Sequence, residues 1–291
     1  MQYLHAIASP QMNPPLFIFQ LSAAAAGYNA KVLAEHNFDL NRIIEQQHPS
    51  QISYGSEFCD PKLLEDLLRD HPFWSHLKNI LSNGASFPLD NISSTNREQD
   101  LVFHVNRGNH KLASKNVEAL RTIIQEDVER GFALPLLITA LHFLPNASLA
   151  PLGCVRQSSV DASGNHVVKF PMTHDQTFPG PSKLSVNLRV QHDKLPPICY
   201  SFVLMRTIHY ILDLCNWHPT TKIFLCKFDI DAAYQRCTLS SITAFECLTM
   251  FEDFLLIALW MTFGGSPNPE LWGVILETTT DICNSLLLKN D

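Results

Sequence analysis

Two aspartates directly after an apolar run are the residues in this chain best suited to chemistry. The run covers residues 223–228, Asp229 ends it, and Asp231 lies two positions further on. A buried strand that ends on a carboxylate presents it at a sheet edge, where a hard cation such as Mg²⁺ can bind. Nucleotidyl transfer uses such carboxylates to hold two metal ions about 3.5–4 Å apart. Spacing alone leaves a second interpretation open, in which one aspartate caps a turn and the other is solvated.

A second candidate is the segment from Phe263 to Trp272, which contains two glycines and two prolines. Such a turn is rigid and poor in side chains, so a ligand can approach its backbone closely. A helix that begins at Pro269 would present its N-terminus there, a position that favours phosphate. An ordinary loop between a strand and a helix is the alternative interpretation.

A third candidate comprises residues 169–178 and 185–189, where Lys169 and Arg189 could contact phosphates. His174 and Asp175 are adjacent, but neighbours on a strand point to opposite faces, so we predict a structural role for His174. Metal-binding His spacings, phosphate-binding loops and serine-hydrolase motifs do not occur in the sequence.

Composition indicates a folded globular protein, with 46% hydrophobic and 17% charged residues among 291. The net charge of −7 is unevenly distributed, because residues 151–240 carry nine Lys or Arg against six Asp or Glu. A mildly basic middle segment is compatible with nucleic-acid binding, but an ordinary solvated surface would carry the same charge. The eight cysteines form no close pairs, and no apolar stretch is long enough for a membrane span. We therefore expect an intracellular protein without a membrane partner, and nothing in the sequence indicates an oligomer.

The predicted architecture is α+β, with a helical N-terminal region at residues 1–130. Within that region we predict helices at residues 61–68 (capped by Asp60), 72–83 (closed by Gly84) and 114–131 (capped by Ser114), and a loop at 86–109. Residues 131–291 mix short strands with helices. There we predict a hairpin around residues 161–164, a helix at 201–216 with an inward apolar face, strands at 222–228 and 254–261, and a helix at 269–288.

In their order, these segments resemble the reverse transcriptases of eukaryotic retroelements. Residues 229–234 (Asp-Ile-Asp-Ala-Ala-Tyr) resemble the family's first palm motif, and Phe263-Gly264 with Pro269 resembles the next one. The upstream segments at 151–153, 169–176 and 185–187 resemble the fingers region of these enzymes. Residues 206–209 and, more loosely, residues 108–111 resemble segments of the same retroelement family.

The resemblance implies a helical segment followed by fingers and an incomplete palm. It implies that Asp229 and the carbonyl of Ile230 bind Mg²⁺, with Mn²⁺ as an alternative. It also implies that Tyr234 excludes a 2′-hydroxyl and that Gly264 lies near the new base pair. The implied partners are an RNA or DNA template–primer and a deoxynucleotide.

Two departures from the family pattern qualify this prediction. The usual basic residue four positions before the fingers aspartate is replaced by Pro171, so Lys169 would have to hold the triphosphate. No Tyr-x-Asp-Asp sequence occurs, so we expect the chain to stop before the paired-Asp motif and to be inactive as given. Two other functions stay open, a non-catalytic nucleic-acid-binding remnant of a retroelement and an unrelated soluble α+β domain.

Overall fold

The computed structural model describes residues 16–47, 50, 52–161, 163–198, 203–224 and 230–288. Helices dominate the described part before residue 130, and strands begin at Ala133. The helices are α1 (Ala23–Glu35), α2 (Leu40–Gln46), α3 (Pro61–Leu68), α4 (Trp74–Asn83), α5 (Ser94–Arg107), α6 (Lys111–Lys115), α7 (Val117–Glu129), α8 (Val186–Arg189), α9 (Val203–Trp217), α10 (Ser241–Glu246) and α11 (Asn268–Leu288). The strands are β1 (Ala133–Leu137), β2 (Leu152–Cys154), β3 (Gln157–Val160), β4 (His166–Lys169), β5 (Met172–His174), β6 (Thr249–Phe251) and β7 (Phe254–Ala258).

The largest sheet is antiparallel, with the strand order β1-β7-β6. Strand β7 is central and almost wholly apolar, as expected for a strand covered on both faces. Strand β1 contains Pro135, which has no N–H to donate and fits an edge strand. Glu252 adopts a φ of 52° in the two-residue turn between β6 and β7, as tight hairpins require.

Two small antiparallel pairs complete the strand structure of the described residues. Strand β2 pairs with β5 and lies next to the candidate site, whereas β3 and β4 form a separate, exposed hairpin. Asp161 shapes the turn of that hairpin, because one of its carboxylate oxygens accepts from the backbone N–H groups of Ser163 and Asn165.

Two hydrophobic clusters hold the elements together. The larger cluster joins buried residues of α1, α2 and α4 to β1, β7 and the first turns of α11. The smaller one packs α6 and α7 against β2, β6 and β7. The N-terminal helices therefore share a core with the later strands, and the boundary near residue 130 stays a prediction.

The observed mixture of helices and small antiparallel sheets confirms the coarse prediction of an α+β fold. Several local predictions are also confirmed. Asp60 caps α3 by accepting from the N–H of Lys62, and Gly84 ends α4 at a φ of 81°. The hairpin at residues 161–164 and the long C-terminal helix are present as predicted.

Two predictions for the N-terminal region are wrong. The expected loop at 86–109 contains α5, a helix of 14 residues whose N-cap, Ser93, accepts from the N–H of Asn96. The expected helix at 114–131 does not begin at Ser114, which lies inside the short helix α6. Helix α7 begins only after Asn116, which has non-helical angles of φ −111° and ψ 34°. The side-chain amide of Asn116 donates instead to the carbonyl oxygen of Cys154, so a contact with β2 fixes the break.

Helix α9 forms within the predicted range, but its predicted inward face is wrong. Leu204, Ile208 and Leu212 are exposed by 70%, 42% and 54%. The predicted strand at 222–228 falls partly on residues 225–229, which lie outside the described residues.

Candidate functional site

The glycine loop after β7, at residues 263–266, passes unusually close to strand β5. The backbone N–H of His174 donates to the carbonyl oxygen of Phe263 at 3.0 Å. Gly264 has a φ of 134°, and a Cβ atom at this position would overlap the carbonyl oxygen of His174. Both the backbone angle and the lack of space therefore require glycine at residue 264.

Asn187 fastens the glycine loop from the other side. Its amide nitrogen donates to the carbonyl oxygen of Gly264 at 2.8 Å and to the hydroxyl of Thr177 at 2.9 Å. Its amide oxygen accepts from the backbone N–H of Ser266 at 2.8 Å. Asn187 lies in α8, a single helical turn capped by the Ser185 hydroxyl. One side chain thus connects both sides of the glycine loop to residues 185–187, the segment that resembles the fingers region of reverse transcriptases.

Two further amides hold the residue before the loop. Gln176 donates to the hydroxyl of Thr262 at 3.2 Å, and Asn268 donates to its carbonyl oxygen at 2.6 Å. A Cβ atom on Gly265 would lie 2.8 Å from the Asn268 amide nitrogen and 3.0 Å from the Gln176 amide oxygen. A side chain at Gly264 would therefore collide with the backbone of β5, whereas one at Gly265 would displace the amide side chains of Asn268 and Gln176.

Tyr234 brings the end of the first palm-like motif to the same loop. It lies in a short 3-10 helix, Ala233–Arg236, that follows Ala232 in the left-handed region at a φ of 52°. Its ring centre is 5.2 Å from that of Phe263, and the two planes are tilted by 52°. Burial, and to a smaller degree the charge of Glu270, raises the pKa of the Tyr234 phenol.

The metal-binding prediction for Asp229 lies outside the described residues. Its neighbours on the C-terminal side, Ile230 and Asp231, are both exposed. The guanidinium of Arg236 donates to the carbonyl oxygen of Asp231 at 2.9 Å and thereby closes the turn. Among the described residues, no group of three or more His, Cys, Asp or Glu side chains could hold a metal ion.

The two basic residues predicted to contact phosphate have different environments. Lys169 is exposed at the end of β4, opposite Gln157. Arg189 is only 2% exposed and donates to the carboxylate of Glu246 at 2.6 Å. A nucleic-acid phosphate cannot reach a guanidinium that is buried and already paired, so the predicted contact of Arg189 does not fit this structure.

A buried charge cluster surrounds Glu246 and explains the position of Arg189. The carboxylate also accepts from Arg97 at 3.2 Å and from the hydroxyl of Ser148 at 2.5 Å. Burial raises the pKa of Glu246, but the hydrogen bonds from the two arginines and Ser148 outweigh burial and lower it overall. The carboxylate therefore stays ionised and ties α5, α8 and α10 together.

A polar groove beside the glycine loop contains candidate residues that the sequence did not single out as a site. His110 Nε2 donates to a carboxylate oxygen of Asp175 at 2.9 Å. The guanidinium of Arg107 lies 3.3 Å from His110 Nδ1 and 4.0 Å above the ring of Phe178. Since a guanidinium only donates, Nδ1 must accept, and the ring proton of neutral His110 is then on Nε2.

The groove has a volume of about 600 Å³ and also contains Lys111, Thr177 and Gly264. Arg107 and Lys111 are exposed, so this groove offers the cationic surface that Arg189 does not. The sequence signal was the segment at 108–111, which resembles the family only loosely. The partnership of His110 with Asp175 spans 65 positions and has no local signature.

None of the described helices is long and apolar enough to cross a bilayer. Comparisons with protein-family models, with curated proteins and with solved structures gave no match to this chain.

Proposed function

We propose that the chain carries the fingers and part of the palm of a reverse-transcriptase-like domain, whose family reaction transfers a deoxynucleotide to the 3′-hydroxyl of a primer on an RNA or DNA template. The sequence contains no paired-Asp motif, so we expect the chain as given to bind these substrates without catalysing the transfer. The observation that carries the proposal is the convergence of three separate family-like segments on one loop. His174 and Asn187 bond the backbone of residues 263–266, and Tyr234 packs against Phe263. These segments were singled out by residue type and order alone, so their contact supports a shared role.

In this proposal the chain's own residues position the substrates. Asp229 and the carbonyl of Ile230 would bind Mg²⁺ or Mn²⁺, and the metal ions supply charge stabilisation for an attacking hydroxyl and a leaving pyrophosphate. Tyr234 limits the space beneath the sugar, and the glycine loop lets the nucleotide approach the backbone at Gly264. Lys169 lies on an exposed strand end, from which a lysine can reach a triphosphate.

The polar groove beside the glycine loop, and not Arg189, contacts the nucleic acid in this proposal. Arg107 and Lys111 present two exposed cations next to Gly264, and phosphate contacts of this kind position a strand without reading its sequence. A polymerase that copies nucleic acid acts inside the cell, so the proposal also implies an intracellular location.

The test is magnesium-dependent binding of a primer–template duplex. We expect Mg²⁺ with the complementary deoxynucleotide to tighten binding, and Asp229→Asn to remove that effect. Asp213→Asn, on exposed helix α9, is the matched control and should bind like the unchanged chain.

The same titration separates the rival functions. Binding that weakens steeply with salt but ignores Mg²⁺ would indicate a non-catalytic nucleic-acid-binding remnant. No binding of the duplex under any of these conditions would leave an unrelated α+β domain.

A further inference from the structure

A second cavity lies between helix α7 and the three-stranded sheet. His174 and Phe263 of the candidate site form part of its wall, but the proposed nucleotidyl transfer assigns no role to its interior. Its volume is about 260 Å³. Ala133 and Ala258, which face each other across β1 and β7, both line it. Two small side chains at opposed positions leave the space open. The walls are largely apolar and aromatic, and they include Ile123, Phe132, Met172, Trp260 and Phe263.

Two titratable groups from different elements line this mainly apolar space, together with the polar side chains of Gln235, Thr249 and Thr262. Asp127 comes from α7, and His174 comes from β5. The Nδ1 atom of His174 is buried and has no hydrogen-bond partner among the described residues. A buried nitrogen without a partner costs free energy, but this atom has almost no accessible surface, so a ligand in the cavity would meet the ring of His174 and not its Nδ1.

The protonation states of both groups indicate the kind of ligand. Burial lowers the pKa of His174 to about 4, so the ring is neutral at pH 7. Burial raises the pKa of Asp127 to about 6. The charge of Arg130 lowers it to a smaller degree, and the charge of Glu126 raises it slightly. The Asp127 carboxyl group can therefore exchange a proton with a ligand near neutral pH, as perturbed groups in binding sites often do.

We propose that this cavity binds a flat aromatic heterocycle that carries an amino group beside a ring nitrogen. The edge of the ring that carries the amino group and the neighbouring nitrogen can form two hydrogen bonds with one carboxyl group. The amino group donates to one oxygen of Asp127, and the ring nitrogen shares a proton with the other. The aromatic walls cover the faces of the ring, and the neutral ring of His174 forms part of the wall.

The size of the cavity agrees with this class of ligand. An engineered cavity of about 150 Å³ holds one benzene ring, so this one can hold a fused two-ring heterocycle. Mostly apolar walls with a few polar groups are typical of small-molecule sites. Adenine presents the required edge, both as the free base and as an unstacked base in a single strand. The inference goes beyond nucleotidyl transfer and does not depend on it.

The experiment is isothermal titration of the full chain with 2-aminobenzimidazole and with adenine. We expect saturable binding at one site, and at least tenfold weaker binding to Asp127→Ala. That substitution suits a helix and enlarges the cavity, so a loss of affinity would report the carboxyl group. Glu129→Ala removes an exposed carboxyl group of the same helix that is not among the charges acting on Asp127, so it is the control and should leave the affinity unchanged.

A second variant tests the cavity itself. Ala258→Leu places a larger side chain in the space and should abolish binding, while thermal unfolding shows whether the variant is folded. A parallel titration with short single-stranded oligoadenylate shows whether the ligand is a free base or an unstacked base of a single strand. Binding of adenine alone supports a small-molecule site, and binding of both supports an unstacked base.

Three results would overturn the proposal. They are no binding of either heterocycle to the unchanged chain, equal affinity in Asp127→Ala, and equal binding of naphthalene. Naphthalene has the size of the two-ring heterocycle without its polar edge, so its binding would show that only apolar contact matters.

Discussion

Gly264 is the residue whose replacement most directly tests the close packing of the glycine loop on strand β5. We expect Gly264→Ala to destabilise the protein by about 3 kcal/mol or more, because it adds a clash with His174 to a strained backbone angle. Gly108→Ala is the matched control. Gly108 also has a positive φ, 70°, but its Cβ would meet nothing within 4 Å, so the cost should be about 1 kcal/mol. Urea unfolding measures both values, and equal losses would show that the loop has room to move.

Tyr234 provides a second test at the scale of one residue, and it bears on the proposed function. If its ring fills the space beneath the sugar, Tyr234→Ala should bind ribonucleotides more tightly relative to deoxynucleotides. The measurement is the ratio of the two affinities on a primer–template complex. Tyr210→Ala removes a tyrosine that is 62% exposed on α9 and serves as the control. An unchanged ratio in Tyr234→Ala would refute the role in sugar selection.

Elements α5, α8 and α10 depend on the charge cluster around Glu246. We expect Glu246→Gln to destabilise the fold by about 3–5 kcal/mol, because it leaves the buried guanidinium of Arg189 without a counter-charge. The comparison is Glu252→Gln. Glu252 also pairs with an arginine, Arg121, but both side chains are about 40% exposed, so the loss should be about 0–1 kcal/mol.

Unfolding by urea at pH 7 compares the two glutamate variants directly. A loss in Glu246→Gln no larger than that in Glu252→Gln would mean that the Arg189 guanidinium finds water or another acceptor. The link between α5 and α10 would then be a packing contact and not an electrostatic one.

The whole molecule should show opposed pH effects from Asp127 and His174. Burial raises the pKa of Asp127 to about 6, so its favourable contribution is complete near pH 4 and is lost as the pH rises through 6. Burial lowers the pKa of His174 to about 4, so its contribution is present above pH 6.5 and is lost as the pH falls toward 4. Each effect is on the order of 3 kcal/mol in the free energy of unfolding.

Substitution separates these two contributions. Asp127→Asn should gain stability relative to the unchanged chain as the pH rises from 4 to 7, because only the unchanged chain must then ionise a buried carboxyl group. The measurement is the midpoint of urea unfolding for both proteins across that range. A constant difference between them would show that Asp127 ionises as easily in the folded state as in the unfolded one.

Signals within one element were sufficient to predict much of the local structure. Asp60 before Pro61, Gly84 after α4 and the Asp161 turn were all found from the sequence, because each depends on neighbouring residues alone. The α+β class also followed from the mixture of patterns. The glycine loop was recognised as a site candidate for a similar reason, since glycine and proline restrict the backbone locally.

Contacts between distant segments decided the rest. Helix α5 was expected to be a loop, since residues 94–107 are mainly polar and its stability includes the long-range contact of Arg97 with Glu246. Arg189 was read as a phosphate ligand, but a partner 57 positions away buries it. A basic residue looks the same in sequence whether its counter-charge is a ligand or a distant carboxylate. Only the tertiary structure shows which anion is near, because the free energy of an ion pair depends on distance and burial.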